Sequence, residues 1–172
     1  MLWFERRFTR NCLVLCFPTL LAGCLHPLYG GPAGAALVQN MQAVEVEPIP
    51  ERLGHYLHND LIFAFNGTGA AFSPKYRLIV TPVERVQTPL VDTITGRATA
   101  ATVVVDANYT LMPIAGGPPV ATGTAFTAAS YDRSSQRFAN IRAARDAEIR
   151  DAESLSDQIR LRIAAALASR TP

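Results

Sequence analysis

At 172 residues the chain has room for one domain of ordinary size with a real core. Its 49% hydrophobic and 17% charged content is that of a globular protein with a weakly charged surface, not of a disordered chain. Sixteen basic and fourteen acidic residues give a formal charge of +2; setting aside Arg6, Arg7, Arg10 and Glu5 leaves 13 of each, which excludes the basic excess of a nucleic-acid binder.

The first element reads as a leader. Basic "RRFTR" (Arg6 to Arg10) precedes "NCLVLCFPTLLA" (Asn11 to Ala22), a run of the length expected for the apolar core of a secretory signal, roughly 7–15 residues. A membrane-spanning helix needs roughly 20 apolar residues, and Pro18 and Gly23 interrupt this run. It ends in Leu21, Ala22, Gly23 and Cys24, "LAGC", which resembles the bacterial lipobox. That chemistry needs a thiol to take the lipid, and small residues before it so that an extended backbone enters the peptidase. The bland alternative is a chance cysteine in an ordinary signal peptide. The resemblance implies a signal peptide over residues 1–23, with diacylglycerol and an N-acyl chain on Cys24. Cys12 and Cys16 leave with the leader, so the exported part has no thiol left for a disulfide. One acyl chain binds a bilayer only marginally, whereas the full set holds permanently. Leu25 stands where inner-membrane retention usually shows Asp, so the resemblance implies delivery to the outer membrane.

"GGPAGAA" (Gly30 to Ala36) reads as part of a flexible tether over residues 24–40, with an α/β domain over 41–172. A half-buried strand follows over Gln42 to Ile49, where Val44 and Val46 alternate with Glu45 and Glu47 and Pro48 and Pro50 stop it. Leu53, Tyr56, Leu57, Leu61, Ala64 and Phe65 then recur at helical spacing, with Pro50 near the first turn and Gly67 past the end. Lys75 to Val86 reads as a strand that Pro82 confines to an edge or a bulge. Thr95 to Met112 has the clearest alternation: Val103, Val105, Tyr109 and Leu111 against Thr102, Asp106, Asn108 and Thr110. "GGPP" (Gly116 to Pro119) turns the chain into an antiparallel strand over Val120 to Tyr131.

From about Ser135 the period becomes helical, with a stripe through Ile141, Ala144, Glu148 or Ile149, Ala152, Leu155, Ile159, Ile163 and Leu167. Glu148, Arg150, Asp151, Glu153, Asp157 and Arg160 read as its solvated face. The expected fold is α+β, a two-layer sandwich in the order β-α-β-β-β-α. Two helices cover one face of a four-stranded, mostly antiparallel sheet, and the Thr-, Asn- and Asp-bearing face looks to water or a partner.

No catalytic constellation stands out, and no enzyme activity, cofactor or resident metal is expected. His55 and His58 lie three apart on a helix near Asp60, but without a further His or Cys they read as exposed helix residues. Ser73, Ser130, Ser134 and Ser135 lack a nucleophile elbow, and Asp92, Asp106 and Asp132 sit on separate elements. Of the 16 cationic residues only Lys75 is lysine; arginine suits bidentate bonding to phosphates at a wet interface. Lys75 and Arg77 on one strand, with Arg97 opening the next, form a candidate cluster for a phosphorylated amphiphile if those strand ends are neighbours. The alternative is ordinary solubility and compositional bias.

"GCLHPLYG" resembles the "GCGFxPLYG" opening of the mature region in one branch of the LptE family of LPS-assembly lipoproteins. Pro27, Leu28, Tyr29 and Gly30 match, while Leu25 and His26 replace Gly and Phe. "PERLGHYLHNDL" is similar to that branch's helix start through Arg52, Gly54, Leu57, Asn59 and Leu61, with His58 where Arg is usual. "YRLIV", "GRATAATVVVDANYTL" and the Ala- and Arg-rich last helix extend the likeness over nearly the whole mature chain. The resemblance implies a lipid-anchored protein on the periplasmic face of the outer membrane, bound as a plug in the LptD β-barrel. It also implies help in assembling that barrel and contact with lipopolysaccharide during its insertion. Two other lipoprotein classes remain open: an auxiliary of an ABC-type lipid importer, and a structural envelope lipoprotein that binds peptidoglycan.

Overall fold

The longest alternation in the chain becomes a central strand. The computed structural model describes residues 31–67, 69, 73–91 and 98–170, with the backbone alone for 31–33 and 89–91. Its elements run α1 (Gly31–Gln42), β1 (Val44–Val46), α2 (Glu51–Asn66), β2 (Tyr76–Val91), β3 (Ala98–Pro113), β4 (Ala121–Asp132) and α3 (Arg137–Ala168). The sheet order is β1-β2-β3-β4. β1 lies parallel to β2, with Val44 opposite Tyr76, so the chain needs a crossover between them, and α2 supplies it. β2 and β3 are antiparallel from Tyr76↔Pro113 to Val91↔Ala98, and β4 lines β3 from Ala121↔Leu111 to Asp132↔Ala100.

Period-two patterning sorts the strand residues. Leu78, Val80, Val103, Val105, Ala107, Tyr109, Leu111, Ala125 and Ala129 are buried under the helices. Leu53, Leu57, Leu61 and Phe65 of α2 meet them, as do Leu155, Ile159, Ile163 and Leu167 of α3. Each such side chain contributes about 1.5–3 kcal/mol on burial. Two close approaches rest on glycine. A Cβ on Gly123 would sit 2.6 Å from the Tyr109 hydroxyl, and one on Gly54 would sit 2.7 Å from Ile49 Cγ2. Gly54 therefore lets α2 settle against the chain that leaves β1.

The expected element order, α+β class and two-layer packing hold, with two local corrections. The tether does not extend to residue 40, because Gly31–Gln42 is helix α1, packed on both α2 and α3. Composition misled here: Pro32 falls in the first turn, where a missing N–H costs nothing. Leu37 and Met41, a turn apart, are buried. The first strand is shorter than expected, since Gln42 still belongs to α1 and Pro48 stops the strand. Pro82 does sit on an edge. Glu47 N donates to Leu78 O (2.9 Å), so even-numbered β2 residues direct their backbone groups away from β3, and β1 ends before it reaches Pro82.

Candidate functional site

The second face of the sheet carries no described helix. Its cross-strand rows run Ile79–Thr110–Thr122, Thr81–Asn108–Thr124, Val83–Asp106–Phe126, Arg85–Val104–Ala128 and Gln87–Thr102–Ser130. Three pairs of the polar members bond across the strands. Thr124 Oγ1 donates to Asn108 Oδ1 (2.7 Å), and the hydroxyls of Thr102 and Ser130 lie 2.8 Å apart. Arg85 pairs with Asp106, so the middle of the face is neutral. Phe126 stands 56% exposed beside Asp106, an aromatic contact point on a face that also exposes Ile79 and Val83 among its polar residues. Self-paired hydroxyls and amides, with a few apolar contacts, make a face that can dock on another protein without stranding a charge.

The sheet's two outer edges differ. On β4, Arg150 Nη2 donates to Ser130 O (3.1 Å), Gln158 Nε2 to Phe126 O (2.9 Å), and Arg162 Nη1 to Thr124 O. These donors share one side of α3 and close that edge. On β2 the backbone groups of Val80, Glu84 and Val86 have no partner among the described residues.

On the helix side, the solvated face expected for α3 is corrected at two positions. Glu148 is buried and accepts Arg52 Nε at 2.7 Å, together with a second guanidinium bond. Asp151 is 1% exposed; its Oδ1 accepts from Thr127 Oγ1 (3.0 Å), and its Oδ2 has no partner among the described residues. Burial pushes the Asp151 carboxyl up, against the opposing Thr127 bond and the Arg150 charge. Glu84, half-buried on β2, is also raised, first by burial and then by Glu148. A charge on a helix normally faces water, which is why the pattern alone pointed outward.

The strand ends on which the expected cationic cluster depends are not neighbours, since Tyr76 pairs with Pro113 at the other end of β3 from Ala98. Arg97 lies outside the described residues, as do Leu21, Ala22, Gly23, Cys24 and Asp92. Arg97 precedes Ala98, however, which pairs with Val91 at the opposite end of the hairpin from Tyr76. Arg77 is already engaged by Glu47 (3.5 Å) and Glu45 (3.9 Å); Lys75 is exposed. His58 Nδ1 lies 3.2 Å from Glu47 O and His55 Nε2 lies 3.2 Å from Asn59 Nδ2, so the two rings serve different partners.

What sequence reasoning missed is a cleft at the hairpin end. A cavity of about 400 Å³ is lined by Ala98, Thr99, Arg133, Ser134, Ser135, Arg137 and Asn140. Asn140 fastens the loop: its Oδ1 accepts Ser134 N (2.8 Å) and its Nδ2 donates to Ser134 O (2.9 Å). Arg133 and Arg137 are exposed and make no ion pair among the described residues. The signal for this cleft was a pair of arginines flanking one turn, readable only once β4 was known to end beside the start of β3.

Among solved structures, a candidate lipoprotein from Caulobacter crescentus CB15 superposes with a TM-score of 0.65 at 24% identity, covering 78% of this chain and 97% of its own. A minor lipoprotein from Acinetobacter baumannii superposes with a TM-score of 0.53 at 17% identity, covering 75% and 91%. The chain thus shares its fold with bacterial lipoproteins. No protein-family model and no curated protein sequence matches it.

Proposed function

We propose that the chain is an outer-membrane lipoprotein of the LptE type, which seats in the LptD β-barrel, aids its assembly and assists the insertion of lipopolysaccharide. It acts by binding without turnover, and no step calls for a cofactor. Acylation of Cys24 keeps the domain on the periplasmic side of the membrane and raises its effective concentration near the barrel. The observation that carries the reading is the bare sheet face. Its middle is neutral, three pairs of its polar side chains bond across the strands, and it lies opposite the helix layer. A polar barrel lumen accepts such a surface, whereas a charged excess would be costly to desolvate. Arg133 and Arg137 at the hairpin end, which make no ion pair among the described residues, supply donors for lipopolysaccharide phosphates, in place of the Lys75, Arg77 and Arg97 cluster.

Affinity purification of the native lipidated protein from membranes tests this. A large β-barrel at one-to-one stoichiometry is the expected partner. Inner-membrane transport proteins in its place would mean the ABC-importer auxiliary, and co-sedimentation with peptidoglycan would mean the structural lipoprotein. Intact mass must also show a diacylglyceryl and N-acyl adduct on Cys24; an unmodified cysteine defeats the anchor.

A further inference from the structure

α1 leaves a patch of apolar surface where a protein free in water would not keep one. Phe63 of α2 is 75% exposed, and Val38 of α1 is also exposed. Both line one shallow cavity of about 320 Å³ together with Met41, Ala64 and Arg160. On its other flank Phe63 borders Asp60, Glu153 and Asp157. The rim of the patch therefore carries both signs of charge.

From this we infer that, before the domain seats in a barrel, the Val38–Phe63 patch rests on the surface of a zwitterionic lipid bilayer and sets the anchored domain's orientation on it. The inference rests on the acylation of Cys24 in the reading above, and not on the barrel. Distance supplies the occupant. Six residues, 25–30, separate Cys24 from Gly31, the first residue of α1. Fully extended, that stretch from Cys24 to Gly31 spans at most about 25 Å, and Val38 lies about 10 Å along the helix from Gly31. The patch is thus within reach of the bilayer that holds the acyl chains, and no described residue covers it. An exposed phenylalanine beside aliphatic side chains gains by entering the headgroup region. Arg160 is paired with Asp157 (3.5 Å), and Asp60 and Glu153 add further carboxylates, so the rim has no cationic excess to favour an anionic membrane and suits a zwitterionic headgroup better. Docked this way, the C-terminal ends of α2 and α3 lie against lipid. The cleft of Arg133 and Arg137 then projects away at the far end of α3, a helix about 48 Å long.

The sequence allows a clean test. Its one tryptophan, Trp3, lies ahead of Cys24, so the acylated mature chain has none. Phe63→Trp and, as a control on the bare sheet face, Phe126→Trp are each made in the full chain, purified as the acylated protein and reconstituted into phosphatidylcholine vesicles with brominated acyl chains. Intact mass confirms acylation, and matching thermal melts confirm the fold. The expected result is that bromine quenches the Phe63→Trp emission by half or more, while the Phe126→Trp emission stays within a tenth of its value in unbrominated vesicles. Acylated Phe63→Trp protein with unquenched emission overturns the inference and leaves the anchor standing. Emission from that variant that is blue-shifted but unquenched likewise overturns it, because residues 25–30 or a second copy then cover the patch. Absence of the acyl adduct removes the anchor and the inference together.

Discussion

β4 borders the sheet on one side and β2, beyond the three residues that β1 covers, on the other, yet the fold treats their outer edges in opposite ways. Along β4 the outward carbonyls of Thr124, Phe126 and Ser130 are capped by Arg162, Gln158 and Arg150, which all lie on the side of α3 next to that strand. Along β2, β1 covers only Tyr76, Arg77 and Leu78, and no described strand covers the backbone beyond. Open edges invite pairing with other chains, and proteins blunt them with prolines and charges. β2 carries both devices: Pro82 removes one outward N–H, and Glu84 puts a carboxylate beside the next. A long helix packed beside an edge can seal it with side chains. An edge that no helix reaches has to be defended by what it lacks.

Glu84 also ties β2's defence to the helix layer, since Arg52 lies close enough to Glu84 to oppose the rise in its pKa. Arg52→Ala would leave Glu148 buried without a partner and remove the compensating charge near Glu84. Breaking a buried pair costs about 3–5 kcal/mol; because Arg52 is itself half-exposed, the loss expected here is about 2–3 kcal/mol. Urea denaturation at pH 7.5 would measure it. A loss under about 0.5 kcal/mol, the size of an exposed pair, would place this ion pair at the surface in energy as well as in reach.

The layer that this pair helps hold together was largely readable beforehand. Val103, Val105, Tyr109 and Leu111 alternate, and Leu155, Ile159, Ile163 and Leu167 recur every four residues, because one face of each element must be dry. Helix α1 was hidden because Gly, Pro and Ala read as linker when their place in a first turn is unknown. The burial of Glu148 and Asp151 was hidden for a different reason. It depends on Arg52 and Thr127, which lie far away in sequence, and no local pattern encodes a partner 96 residues distant. The cationic cluster failed on register: Arg77 and Ala98 belong to opposite ends of one hairpin.

Asp151 sharpens the contrast from the β4 side, because it reaches Thr127 on that strand while leaving Oδ2 unpaired among the described residues. Its carboxyl is raised in the folded state, as are those of Glu84 and Asp60, each first by burial. Groups raised on folding favour the folded state when protonated. Their contribution is complete below the ordinary carboxylate range and lost as pH climbs through the raised values. Thermal stability should therefore gain from these groups as pH falls from neutrality toward the ordinary carboxylate range. Asp151→Asn, which keeps an acceptor for Thr127, should raise the melting temperature at pH 8 by a few degrees and flatten that gain. An unchanged pH profile in the variant would show that Asp151 is not the group being titrated.

The smallest effect on stability belongs to the caps themselves. Arg162→Ala frees the Thr124 carbonyl to water, and since water replaces the lost bond, the cost is about 0.5–1 kcal/mol. The more telling readout is association. With Arg162 and Gln158 both replaced by alanine, β4 presents two bare carbonyls beside Phe126 and Thr124, with neither a proline nor a charge at those positions to discourage pairing. Pro82→Val performs the matching operation on β2, restoring an N–H while leaving the core untouched. Light scattering at a common concentration should rise for both variants above the parent chain, and more for the β4 pair, because β2 retains Glu84 whereas β4 retains only the Arg150 cap. Equal scattering from all three proteins would mean that neither edge is held apart from other chains by the groups named here.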